Sequence, residues 1–159
     1  MKTRDIWSAT NLGAGLGLLT AIVAAAEFVD AQLRGICSVS SFFSCALVDK
    51  SGLTTTLGIQ DYFWGIGGFI AILLFAAIAE RQAADPRWTY FLAFLTTAGV
   101  ALAFYFLYVE LALIHAVCLV CAADYLFGGV AWIGSLALSV RAYRGTLDDP
   151  PETSPDADD

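Results

Sequence analysis

Charge is what this chain of 159 residues has least of, since 14% of it is Asp, Glu, Lys or Arg against 58% hydrophobic residues. That balance excludes an ordinary soluble domain and points to one membrane-embedded unit. Lysine is scarce, so neither a basic nucleic-acid face nor a phosphate cradle is on offer. Histidine occurs once, at His115, and a two-ligand haem or a His-based metal centre cannot be built from it within one chain. The net charge of −7 is a property of the tail, because six of the fifteen acids lie in residues 148–159. That stretch contains prolines, lacks apolar residues to bury and is expected to be disordered. The remaining nine acids stand against eight bases, and no nucleic-acid partner is expected.

Crossing a hydrocarbon core of ~30 Å takes ~20 apolar residues at ~1.5 Å each. The uncharged runs Ile6–Ala26, Tyr62–Ala79 and Trp88–Val109 meet this requirement, and Leu111–Val140, interrupted only by His115 and Asp124, supplies a fourth. A single helix from Trp88 to Val140 would be ~80 Å long, so the chain must reverse, and the polar cluster Glu110–His115 is the expected turn. Glu80–Arg87, charged and containing Pro86, separates the second and third runs. Lys2 and Arg4 ahead of the first run, with Ala24-Ala25-Ala26 behind it, resemble a secretory leader. The run is longer than a leader core and is read as a retained helix. The expected fold is an all-α integral membrane bundle, residues 1–147, with four helices over about 6–30, 61–79, 88–109 and 115–140. A loop or lid joins the first two. Six bases, Lys2, Arg4, Arg81, Arg87, Arg141 and Arg144, fall on the side of the termini, and only Arg34 and Lys50 on the other. The positive-inside bias therefore puts both termini in the cytoplasm and the segment Gln32–Gln60 outside it.

All four cysteines then lie on the oxidising side. Cys118-Leu119-Val120-Cys121 opens the fourth run, and residues three apart on a helix share a face. Cys121 sits a turn deeper than Cys118, with Asp124 and Tyr125 near the same stripe, beside space for a quinone ring. Cys37 and Cys45 flank a seven-residue segment that is half polar, while Phe42 and Phe43 can press it onto a membrane surface. Electrons pass between such pairs only through a mixed disulfide, so one loop cysteine must reach Cys118. Two dull readings compete: a scaffold stapled by two disulfides, and a four-sulfur zinc site. A CxxC bridge closes too short a loop to staple much, and no His cluster supports a metal.

Other features have structural readings. Gly13-Ala14-Gly15-Leu16-Gly17 follows no strand and is read as a close helix contact rather than a nucleotide loop. Among Trp7, Trp64, Trp88 and Trp132, three fall near span ends and read as interfacial anchors. Glu27 is expected to reach water at the interface, and His115 to cap the outer turn.

The order of these parts resembles the vitamin K epoxide reductase family: a first span, an outer Cys-x7-Cys pair, three more spans, and CxxC followed by a tyrosine four residues on. The resemblance covers nearly the whole chain short of the tail. It implies a thiol-disulfide oxidoreductase coupled to a lipid quinone of the menaquinone, ubiquinone or vitamin K type. It further implies that Cys37 and Cys45 take electrons from thioredoxin-like or substrate protein thiols, that Cys45 exchanges with Cys118, and that Cys121 reacts with the quinone. Tyr125 matches the family's quinone-contacting tyrosine. Asp61, four residues before Gly65, stands where animal members often carry Asn, and only a protonated acid there could donate a hydrogen bond. A DsbB-type membrane thiol oxidase is the nearest enzymatic alternative, but its CxxC lies in the first outer loop.

Overall fold

In the computed structural model the described residues are 2–30, 40, 42–53, 55–56 and 58–145. Cys37, Arg34 and the acidic tail lie outside them. Helix α1 spans Thr3–Val29, and a short α2, Cys45–Lys50, follows in the loop. Next comes a two-stranded hairpin of β1, Thr55–Thr56, and β2, Ile59–Gln60. Helix α3 covers Asp61–Arg81, α4 covers Pro86–Tyr108 and runs on as a π turn over Val109–Ile114, and α5 covers Leu119–Tyr143. Four of these helices are long and apolar enough to cross a membrane: Thr3–Val29, Asp61–Arg81, Pro86–Ile114 and Leu119–Tyr143. An all-α, four-span integral membrane bundle is therefore the fold.

The helices close a ring in which α1 and α4 each pack against both α3 and α5. Hydrocarbon gives no hydrophobic drive for helices to meet, so close approach and polar contacts must hold the ring. A Cβ on Gly13 would lie 3.0 Å from the backbone nitrogen of Ala131 and the carbonyl of Phe127, which is why α1 can run against α5 there. Gly17 likewise leaves room for the ring of Phe69, and Gly134 for Thr10. Hydroxyls add the polar contacts: Thr96 and Ser135 share a hydrogen bond of 2.6 Å, and Ser139 donates to the carbonyl of Thr89 at 3.3 Å. Leu92 and Leu138 are completely buried between these contacts.

Three sequence expectations need correction. The turn between the last two spans does not begin at Glu110, because the third span continues through Ile114 and the chain reverses over His115–Cys118. His115 ends the π turn in a left-handed conformation, φ 59°, and the amide of Ala116 reaches back to the carbonyl of Glu110. The fourth helix accordingly starts at Leu119 rather than at His115. Glu27 is buried instead of reaching water. Trp7 is a core residue, not an anchor, while Trp88 stacks on Phe75 and donates to Gln82.

Candidate functional site

The loop is tied to the bundle by a parallel bridge between Phe43 and Val117. The Val117 amide donates to the carbonyl of Phe42 at 2.8 Å, and the Ser44 amide donates to the carbonyl of Val117 at 3.2 Å. Ser44 also caps α2, its hydroxyl accepting from the Leu47 amide at 3.4 Å. The next residue on each strand of the bridge is in or beside a redox position. Cys45 opens α2, Cys118 is the N-cap of α5, and their sulfurs lie 3.0 Å apart in a buried pocket with Val48 and Ala116.

Cys45 is disulfide-bonded, whereas Cys118 and Cys121 are free thiols. Cys118 sits just before the helix and not on it, and its sulfur accepts the Cys121 amide at 3.3 Å. Cys121 faces the other way, into a cavity of about 120 Å³ enclosed by all four spans. Trp64, Phe69, Ile72, Val100 and Phe106 form apolar walls, and Gly65 and Gly68 leave the space open. Asp61, Asp124 and Tyr125 join Cys121 on the lining. Asp61 is the first residue of α3, where its carboxylate accepts the Tyr62 amide at 2.8 Å.

Of the residues singled out from sequence, Cys45, Cys118, Cys121, Tyr125 and Asp61 thus gather at one end of the bundle, and Cys37 falls outside the described residues. Three further residues belong with them. Asp124 receives a hydrogen bond of 2.6 Å from Thr20 on α1, and its second oxygen lies where a Cβ on Gly65 would be 3.2 Å away. Trp64, near the start of α3, also lines the cavity. Glu110 is completely buried and receives a 3.4 Å hydrogen bond from the hydroxyl of Tyr125. The signal available for Glu110 was an acid standing alone between apolar runs, which inside a membrane marks a functional position by default.

A buried dithiol next to a disulfide can exchange with it, and the dithiol's second sulfur can deliver two electrons to whatever enters the cavity. The sequence profile of the Vitamin K epoxide reductase family matches residues 9–143. Among curated proteins, none matches the chain.

Proposed function

Since the chain belongs to the vitamin K epoxide reductase family, whose members are membrane oxidoreductases of disulfides and quinones, we propose that it carries two electrons from external thiols to a lipid quinone. The observation that supports this most is the 3.0 Å approach of the Cys45 and Cys118 sulfurs across the loop–bundle bridge. Cys37 is taken as the disulfide partner of Cys45. External thiols reduce that loop disulfide, and the Cys45 thiolate then attacks a Cys118–Cys121 disulfide. The mixed Cys45–Cys118 bond so formed is broken by Cys37. This restores the loop disulfide and leaves the core pair holding both electrons. A disulfide at Cys45 beside free Cys118 and Cys121 corresponds to that last state.

The cavity suits the head of a quinone: aromatic and aliphatic walls with few polar groups, all clustered at the Cys121 end. Quinone supplies a two-electron, two-proton acceptor there, from the menaquinone, ubiquinone or vitamin K class. In this reading Cys121 is the sulfur that faces it, Tyr125 orients it through its hydroxyl, and Asp61 hydrogen-bonds it when protonated. In this reading both termini face the cytoplasm, the side that the Lys and Arg distribution favours, and the cysteines meet thioredoxin-like or substrate thiols outside it.

Two variants test the division of labour. In Cys121→Ala the lone Cys118 can still attack the loop disulfide at Cys45 and, with no Cys121 to resolve the product, a Cys45–Cys118 link is expected to accumulate, mapped by mass spectrometry. Cys118→Ala is expected to give a new visible band when quinone is added. Finding the link in neither variant, or the band only in Cys121→Ala, overturns the assignment. Orientation is tested separately by an impermeant thiol reagent on intact cells, which should label reduced loop cysteines without the membrane being opened.

A further inference from the structure

The π turn at the end of α4 puts Glu110, an acid no part of the exchange described above uses, against the active dithiol. Its two oxygens are not equivalent. Oε1 accepts from the Tyr125 hydroxyl at 3.4 Å, while Oε2 is buried with no hydrogen-bond partner among the described residues. The groups that interact with the carboxylate are Asp61 on α3, and Tyr125, the Cys118 amide and the Cys121 thiol at the start of α5. No cationic group is among them. A carboxylate sealed from water without a counter-ion is costly unless it exchanges a proton with a neighbour. Single π turns recur at functional sites, and here the turn's carbonyl is held by Ala116, one residue before the Val117 bridge.

Resting on the exchange reading above, the geometry points to Glu110 as the acid–base group of Cys121: it gives that sulfur a proton when Cys45 opens the core disulfide, and takes the proton back when Cys121 closes it in the reverse step. The closing step balances, and the opening step is its reverse. The Cys121 proton moves to Oε2, the Cys121 sulfur forms a bond to the Cys118 sulfur, and the Cys118–Cys45 bond breaks with its electron pair leaving on Cys45. No net oxidation occurs, because one disulfide replaces another. Tyr125 holds Oε1, which leaves Oε2, unpartnered among the described residues, to take the proton. Cys121 is half-buried in the cavity wall, and a local acceptor is what allows its thiol to react at neutral pH.

The test needs no quinone. In detergent-purified, quinone-free protein carrying Cys37→Ser, where Cys121 alone can resolve the Cys45–Cys118 disulfide, acid-quenched time courses follow that bond as it forms and is resolved. Glu110→Gln, similar in shape but unable to take a proton, should slow resolution by about 100-fold at neutral pH, with the rate recovering as pH rises and hydroxide takes over. Glu110→Asp, which keeps the acid, should restore much of the rate. A Glu110→Gln protein that resolves at the unmodified rate across pH overturns the proposal, as does a well-folded Glu110→Asp protein no faster than Glu110→Gln. Should neither variant accumulate, resolution in the Cys37→Ser chain must be slower in deuterated water, and an equal rate overturns the role. Quinone reduction by the unmodified chain is measured in parallel. Its absence alongside Glu110-dependent resolution defeats the quinone reading and leaves the base in place.

Discussion

The two ends of this bundle are built from the same four helices and differ in almost everything that decides what can enter them. At the end where α1 begins and α5 finishes, Leu92 and Leu138 are completely buried and Gly134 admits Thr10. At the other end Gly65 and Gly68 border a cavity, and Asp61, Asp124, Glu110 and Tyr125 are set around it. Small residues appear at both ends. Opposite a partner's backbone or side chain they close the gap, and where nothing stands opposite, as at Gly68, they leave a chamber. In a membrane, where apolar surface alone does not pull helices together, this difference decides where a ligand fits.

Four substitutions can break or sharpen that contrast. Leu138→Ala at the closed end should cost about 3 kcal/mol in reversible detergent unfolding, since nothing nearby can collapse into the gap. A loss below about 1 kcal/mol would mean the closed end is loosely packed. Gly13→Ala comes next, at about 2 kcal/mol in the same assay, because its new methyl meets the α5 backbone at 3.0 Å, and backbone cannot move aside. Gly68→Leu at the open end should leave unfolding within about 0.5 kcal/mol, as a Cβ there meets nothing. It should instead raise the apparent KM for quinone about tenfold, equivalent to about 1.4 kcal/mol. An unchanged KM would place the quinone elsewhere. The smallest effect belongs to Thr96→Val, which removes the bond to Ser135 and should cost about 0.6 kcal/mol.

Length and hydropathy sufficed for the four spans, because each run must satisfy its own backbone in hydrocarbon and little else can. The nearness of Cys45 to Cys118 was legible from the spacing and order of the cysteines, while Cys37 lies outside the described residues. What the sequence hid depended on partners far along the chain. Asp124 appeared only as a neighbour of the Cys121 stripe, since its hydrogen-bond donor, Thr20, is on another helix. Glu110 looked like the start of a turn because it is polar and followed by a reversal. Only the π turn, which has no Gly or Pro to announce it, carries the helix past it and buries it beside Tyr125. The place of Trp64 at a span end is visible in sequence, and the chamber beside it is not.

The bridge between Phe43 and Val117 fixes a duty cycle for the loop. It consists of two amide hydrogen bonds, each worth about 1 kcal/mol net. At about 2 kcal/mol in all, roughly one molecule in thirty has it undone at any instant. A full strand pairing would freeze the loop's sulfur against the bundle, and a bare tether would let it wander. With two bonds, Cys45 is expected to spend most of its time beside Cys118 and to be released often enough for the exchange with an outside thiol proposed above. The Val117 amide is accordingly expected to exchange with solvent hydrogen with only about thirtyfold protection, far less than amides in mid-helix. Protection as high as theirs would mean that Cys45 is released only when the whole fold opens.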